Sequence, residues 1–178
     1  MAARVSFQTD SPELSKEPLM PFFQCLAIPT AIAENFRATN RDENANLLRH
    51  MIADAPTGYP CRHCLKMASP GETLLLGSYN LPRPQGIYAS SSPIFVHATA
   101  CPRFTTPNTL PPVITQAALL SVRAYDQAHQ CFYDLGEVAP GAAIEPALYR
   151  ALAHPKLSFI NIHSARPGCL VATIEPFS

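Results

Sequence analysis

Two short segments of the chain carry residues that can bind a soft metal ion. Cys61 and Cys64 form a C-x-x-C pair, and His97 and Cys101 form an H-x-x-x-C pair further along the chain. Three thiolates and one imidazole complete a tetrahedral zinc site, with Zn–S distances of about 2.3 Å and a Zn–N distance of about 2.1 Å. Four protein ligands leave no open position for a substrate, so the pattern predicts a structural Zn²⁺ site.

The sequence around the first cysteine pair departs from the usual zinc knuckle. A glycine commonly follows the second cysteine of such a turn, whereas Leu65 and Lys66 follow Cys64 here. His63 offers an alternative fourth ligand. A group of reduced, partly buried thiols without a metal is the simplest competing interpretation.

A redox dithiol is a second interpretation of Cys61 and Cys64. The neighbouring Arg62 and His63 would lower a thiol pKa and favour the thiolate nucleophile. A thioredoxin-like pair opens a helix after a strand, however, and the turn residues 69–71 stop any helix soon after this pair. The context therefore favours metal binding over thiol–disulfide exchange.

Nucleophilic catalysis is a third interpretation, centred on the C-terminal part of the chain. Cys169 would be the nucleophile, His163 the base, and Asp126 or Asp134 the group that orients the imidazole. Because His163 and Cys169 fall on opposite arms of a predicted hairpin, they are expected to be neighbours. An imidazole hydrogen-bonded to the backbone is the more common role for such a histidine.

Three arginines could converge on an anionic group. Arg62, Arg123 and Arg166 carry guanidinium groups that bind carboxylates and phosphates through two parallel hydrogen bonds. Structural ion pairs are the simpler expectation for them. The acidic partners considered are Glu72, Asp126 and Asp134.

The composition limits the classes of partner and location. Lysine plus arginine and aspartate plus glutamate are balanced at 13 each, so no basic surface is expected to bind nucleic acid. No segment approaches the roughly 18 consecutive apolar residues that a membrane span requires. Without an apolar leader at the N-terminus, we expect a cytoplasmic protein whose six cysteines stay reduced.

A predicted hairpin brings the two metal-binding segments together. Residues 72–79 and 93–97 both have strand character and are separated by a connection rich in proline, glycine and serine. In an antiparallel pair, the start of the first strand lies beside the end of the second. Cys61 and Cys64 should therefore lie near His97 and Cys101.

The remaining periodicities predict an α+β fold. It would contain an antiparallel or mixed sheet of about six strands with helices packed on one face, and a split barrel is the alternative. Residues 1–20 are expected to form a flexible N-terminal arm, and 21–178 a single domain. The other predicted elements are strands over 22–28, 119–126, 130–135, 157–163 and 169–174, and helices over 30–36, 43–55 and 143–153.

A series of motifs extends along most of the chain. The motifs are Pro60-Cys61-Arg62, Pro70-Gly71-Glu72, Ser92-Pro93-Ile94-Phe95-Val96, Ser121-Val122-Arg123-Ala124-Tyr125-Asp126, and His163 with Pro167-Gly168-Cys169. Together they resemble the bacterial family called domain of unknown function 1203, over roughly residues 22 to 176. The resemblance implies a single-domain cytoplasmic bacterial protein but no particular activity.

The resemblance also divides the candidate residues into two groups. Family members need not keep Cys64, His97 and Cys101, so it implies that a metal is a feature of only some members. A function shared by the whole family would then rest on other positions. These are Cys61, Arg62, Arg123, Asp126, His163 and Cys169.

Overall fold

A computed structural model describes residues 22–177, so the expected arm over 1–20 lies outside the described residues. Within these residues, the structure has three α-helices and eight strands. The helices are α1 (Thr30–Thr39), α2 (Pro112–Thr115) and α3 (Glu145–Leu152). The strands are β1 (Phe23–Leu26), β2 (Arg49–Ile52), β3 (Thr73–Asn80), β4 (Ser91–His97), β5 (Leu120–Tyr125), β6 (Cys131–Ala139), β7 (Phe159–Ser164) and β8 (Leu170–Pro176).

The strands pair in two antiparallel sheets. One has five strands in the order β1-β8-β7-β5-β6, and the other has three in the order β2-β3-β4. The predicted α+β class is therefore confirmed, with eight strands in two sheets where about six in one sheet were expected. The predicted β3–β4 hairpin is also confirmed, because Leu74 lies opposite His97 and Asn80 lies opposite Ser91.

The five-stranded sheet carries the larger hydrophobic core. Its apolar side chains pack with α2 and α3, and the predicted 143–153 helix is confirmed as α3. Apolar residues spaced three and four apart give this helix a single buried face. That face consists of Ala147, Leu148, Ala151 and Leu152.

The three-stranded sheet packs against α1. Phe36 of α1 is fully buried, and Leu75, Ile94 and Val96 belong to the same apolar cluster. A Cβ atom at Gly77 of β3 would lie 2.9 Å from the Phe36 ring. Glycine is therefore required at this position for the helix to approach the sheet closely.

The predicted helix over 43–55 is wrong, because this region contains β2 and turns. Asn40, just before this region, ends α1 in a left-handed conformation with φ 53°. Ala45 has φ 62°, which no helix interior accommodates. Leu48 is buried, but its neighbour Leu47 is 67 % exposed. Pairing with β3 and local turn chemistry therefore outweighed the helical spacing of apolar residues.

The Asp42 carboxylate stabilises the turn that replaces this helix. Its Oδ1 accepts hydrogen bonds from the backbone N–H groups of Asn44 and Asn46, each at 2.9 Å. Its Oδ2 accepts one from the N–H of Ser78 in β3, also at 2.9 Å. These backbone hydrogen bonds lower the pKa of Asp42, although burial opposes the shift. An aspartate that bonds the next backbone groups in this way favours a turn over a helix.

The helices within residues 22–177 are too short or too polar to cross a membrane.

Candidate metal centre

The first two candidate ligands lie in a tight turn, within a segment that we call the cysteine loop (residues 57–68). The N–H of Cys61 donates to the carbonyl of Lys66 at 2.9 Å, and the N–H of Leu65 donates to the carbonyl of Cys61 at 3.0 Å. Leu65 has φ 53°, the left-handed conformation for which glycine is usually chosen. Its side chain is fully buried in the larger core, which offsets the conformational cost.

The cysteine loop is hydrogen-bonded to both sheets. The N–H of Arg62 donates to the carbonyl of Phe95 in β4 at 2.8 Å. The carbonyl of Arg62 accepts a hydrogen bond from the N–H of Ile28, just after β1, at 3.0 Å. The loop therefore lies at the junction of the sheets, beside the end of β4 where His97 is found.

Cys61, Cys64, His97 and Cys101 form a compact cluster. One ligand atom from each residue lies within 4.8 Å of the others. The Sγ atoms of Cys61 and Cys101 are 3.9 Å apart, and Cys64 Sγ lies 3.5 Å from His97 Nδ1. A tetrahedral zinc site has S–S edges of about 3.8 Å and S–N edges of about 3.6 Å, as its bond lengths require. The cluster therefore has dimensions that suit a Zn²⁺ ion.

The orientation of the His97 ring supports a role as a metal ligand. With Nδ1 towards the thiols, Nε2 is buried without a hydrogen-bond partner among residues 22–177. The nearest acidic group is Glu72 Oε2, at 3.6 Å. A metal-bound histidine commonly directs its second ring nitrogen to a carboxylate, which fixes the tautomer and the ring orientation. Glu72 is placed to accept that hydrogen bond.

Several donors surround the sulfur atoms. The backbone N–H of His97 donates to Cys61 Sγ at 3.5 Å. Around Cys101, the Arg37 guanidinium donates to Sγ through Nη2 at 3.6 Å, and His63 Nδ1 lies 3.4 Å from the same atom. Three thiolates around a divalent cation leave a net negative charge, and these donors compensate part of it.

The pKa values within the cluster favour an ionised ligand. The hydrogen bond from the Cys64 thiol lowers the pKa of Cys61, and the same contact raises the pKa of Cys64. Hydrogen bonding to Cys61 raises the pKa of His97. One sulfur is thus already stabilised as the thiolate, which is the form that binds metal.

A surface depression provides an entry path to the cluster. It has a volume of about 500 Å³ and is lined by Cys64, Glu72, His97 and Cys101 among other residues. Cys61 and Cys64 are buried, whereas Cys101 is half-buried. A metal ion can therefore reach the sulfur atoms without unfolding of the chain.

The Cys61–Cys64 turn lacks the setting of a redox dithiol. Residues 61–64 form a turn and open no helix. Cys61 Sγ contacts Cys101 Sγ and the backbone N–H of His97. The helix N-terminus that lowers the thiol pKa in thioredoxin-like sites is therefore absent at this turn.

The structure does not bring His163, Cys169 and Asp126 together as a hydrogen-bonded triad. His163 Nδ1 donates to the carbonyl of Gly168 at 2.9 Å, and burial lowers its pKa to about 4. Asp126 Oδ1 accepts the backbone N–H of Gln130 at 2.8 Å in the β5–β6 turn. Cys169 is half-buried and has no hydrogen bond to the imidazole within the described chain. The His163 imidazole is thus hydrogen-bonded to the backbone, as such a histidine commonly is.

The expected ion pairs of three arginines are not formed. Within residues 22–177, the salt bridges are Arg83–Glu175, Arg150–Glu137 and, if protonated, His97–Glu72. Arg62 is buried and donates instead to backbone carbonyls of Leu170 and Pro60. Arg123 and Arg166 are exposed. Arg62 and Arg166 line one large cavity between the sheets, and Arg123 does not.

Two residues of the candidate site were missed by the sequence reasoning. Glu72 immediately precedes β3, and the N–H of Ala98 donates to the carbonyl of Thr73, so the hairpin register itself could have placed Glu72 beside His97. Arg37 donates to the carbonyl of His97 at 3.0 Å. The sequence carries no signal for Arg37, because its position depends on how α1 packs against the sheet.

Comparisons with known proteins identify a family but no activity. No curated protein and no solved structure matches the chain significantly. A family model described as "Protein of unknown function (DUF1203)" matches residues 58–175, which include Cys61, Cys64, β4 and β7. The chain therefore belongs to the DUF1203 family.

Proposed function

We propose that this protein is a zinc-binding module in which Cys61, Cys64, His97 and Cys101 hold one structural Zn²⁺ ion. The single observation that carries the proposal is the convergence of three sulfurs and one imidazole nitrogen within 4.8 Å of one another. The second support is the buried His97 Nε2, which has no hydrogen-bond partner among residues 22–177 and lies 3.6 Å from Glu72 Oε2. A reducing compartment such as the cytoplasm suits this role, because it keeps thiolates available for metal.

In this proposal the zinc ion fixes the junction of the two sheets. It links the cysteine loop, the end of β4 and the segment that follows β4. That segment is further anchored by Arg103, whose guanidinium donates to the carbonyls of Ala27 at 2.7 Å and Ile28 at 3.1 Å. Four protein ligands close the coordination sphere, so the metal stabilises a binding framework and carries out no reaction.

Metal content tests the proposal directly. Elemental mass spectrometry of purified full-length protein is expected to show one zinc per chain. The Cys64→Ser variant is expected to contain no zinc. Cys131→Ser is the matched control, since Cys131 is a half-buried cysteine outside the cluster. Co²⁺ substitution should give the visible absorption of a tetrahedral thiolate site in the control and not in Cys64→Ser.

A different outcome would favour an enzyme that uses a reactive cysteine. Folded protein that contains no zinc, takes up none, and has one rapidly alkylated thiol at Cys61 would contradict the structural zinc site. Rapid alkylation confined to Cys169 would instead point to nucleophilic chemistry at the β7–β8 turn. Peptide mapping after alkylation separates these two results.

A further inference from the structure

A large cavity adjoins the cysteine loop and is lined by Arg62 but by none of the four candidate metal ligands. It has a volume of about 650 Å³, within the range of about 300–1,000 Å³ that small-molecule sites occupy. We call it the inter-sheet cavity, because β3 and β4 of one sheet and β5 and β8 of the other contribute to its walls. The walls are mainly apolar and include Leu76, Phe95, Val113 and Val171.

One buried charge lines this cavity without an acidic partner. Arg62 is only 5 % exposed, and it has no salt bridge with any residue of the described chain. Nε donates to the Leu170 carbonyl, and Nη1 donates to the Pro60 carbonyl at 2.7 Å. Nη2 has no hydrogen-bond partner within residues 22–177. The charges of the Cys169 and Cys61 thiols act on Arg62, but no carboxylate pairs with it, so its free edge can accept an anion from outside the chain.

The Nη2 atom of Arg62 is not completely enclosed by the protein. His97 Nε2 is the one fully buried side-chain nitrogen or oxygen that lacks a partner among residues 22–177. Arg62 Nη2 also lacks a partner, so it must retain some access to the space around it. We infer that the inter-sheet cavity is that space, because Arg62 is one of its lining residues.

The other polar residues give the cavity a positive character. Arg166 lies exposed on the β7–β8 turn and lines the same cavity, together with Ser164 and Gln116. No aspartate or glutamate of the described chain lines it. A concave site with apolar walls and unpaired guanidinium groups is complementary to a molecule that has an apolar body and one anionic end.

We propose that the inter-sheet cavity binds a small monocarboxylate with an apolar chain. The carboxylate accepts a hydrogen bond from Arg62 Nη2, and the apolar chain lies against the walls formed by Leu76, Phe95 and Val171. Arg166 attracts the anion at the mouth of the cavity. This inference rests on the proposed role as a binding module, and it extends that role to a second site with its own ligand class.

Calorimetric titration of zinc-loaded full-length protein tests the inference, with octanoate as the probe. We expect one octanoate per chain, and affinity at least about tenfold weaker for 1-octanol and for octyltrimethylammonium, because neither carries the negative charge that pairs with a guanidinium. Arg62→Gln should reduce octanoate affinity by about tenfold or more and leave 1-octanol affinity unchanged. Arg49→Gln, a change at an exposed arginine of β2 outside the cavity, is the matched control.

A surface variant keeps the test informative if Arg62→Gln fails to fold. Arg166→Gln should weaken octanoate by a few-fold, since Arg166 is exposed and its charge acts at the mouth. In the unmodified protein, octanoate should slow alkylation of Cys169, which lines the cavity, and leave Cys131 unaffected. Both cysteines are half-buried, so they are a matched pair.

Two results would overturn the inference. One is equal affinity for octanoate and 1-octanol, which would mean that the cavity is only an apolar space. The other is a lack of octanoate binding together with unprotected Cys169. Zinc content is measured in the same samples, so a failure of carboxylate binding in zinc-loaded protein leaves the zinc proposal standing. Loss of zinc with retained octanoate binding would contradict only the zinc proposal.

Discussion

The two sides of the cysteine loop have opposite electrostatic character. Cys61 and Cys64 belong to a cluster with Cys101 and His97, and the Glu72 carboxylate lies beside His97. Arg62, between the two cysteines, lines a cavity to which no acidic residue of positions 22–177 contributes. One turn of the chain therefore separates a site suited to a cation from a site suited to an anion.

Two buried histidines also differ in their surroundings. Hydrogen bonding to Cys61 raises the pKa of His97, and the Glu72 carboxylate acts in the same direction. Burial lowers the pKa of His163 to about 4, and the positive charges of Arg123 and Arg62 add to that effect. A nearby thiol and a carboxylate favour the protonated form of His97, whereas burial, with two arginines adding to it, disfavours the protonated form of His163.

Removal of zinc should have the largest effect on stability. The effect should extend from the metal cluster to Arg62 in the same loop. If free zinc is about 1,000-fold above its dissociation constant, binding contributes about 4 kcal/mol to the free energy of unfolding. A strong chelator should therefore lower that free energy, measured by urea denaturation, by about 4 kcal/mol. Hydrogen exchange should increase in residues 57–68, including Arg62, and remain slow in α3.

The matched control for zinc removal is the Cys64→Ser variant, which cannot hold the ion in a complete site. Chelator should leave its unfolding curve unchanged, because it has no structural zinc to lose. An equal effect of chelator on Cys64→Ser and on the unmodified protein would contradict the assignment. So would exchange that increases uniformly over both sheets, since the zinc ion is expected to stabilise their junction first.

The sequence predicted the metal cluster better than the cavity. Four ligand types at fixed spacing, combined with the β3–β4 register, were enough to place His97 near Cys64. The cavity depends on residues that are distant in the sequence, such as Leu76, Val113 and Arg166. Their approach follows from how two sheets meet, and no local pattern encodes that geometry.

The cysteine loop also shows why a residue rule can mislead. The absence of glycine after Cys64 counted against a zinc knuckle, yet Leu65 adopts the left-handed conformation that glycine would supply. Burial of the Leu65 side chain in the larger core stabilises this conformation. The failed helix over 43–55 has a related cause, since the Asp42 carboxylate and pairing with β3 outweighed the local apolar spacing.

The lowered pKa of His163 should make the free energy of unfolding depend on pH. The folded-state pKa of His163 is about 4, below the ordinary value of 6.5, so the unfolded chain takes up the proton first. The stabilisation is present above pH 6.5 and is lost as the pH falls towards 4. Between pH 7 and 5 this residue should lower the free energy of unfolding by about 2 kcal/mol.

Variants isolate the contribution of His163 to this pH dependence. Urea denaturation of His163→Gln should show a smaller loss of stability between pH 7 and 5 than the unmodified protein. His50→Gln is the control, since His50 is exposed and hydrogen-bonded to Asn40 at 2.8 Å. Identical pH profiles for all three proteins would mean that His163 is not held neutral by its surroundings.

Loss of the Glu72 charge should have the smallest effect, and this effect should be limited to zinc affinity. In Glu72→Gln the amide oxygen can still accept the backbone N–H of Ser69, but the carboxylate near His97 is lost. Zinc affinity should fall by about tenfold, at the lower end of the range for partners that orient a metal-bound histidine. Competition with a chromophoric zinc chelator measures this change.

The matched control is Glu34→Gln, at an exposed position of α1, which should keep full zinc affinity. Equal affinities in the two variants would mean that Glu72 does not orient the imidazole, and that His97 is held only by its backbone and the sulfur atoms.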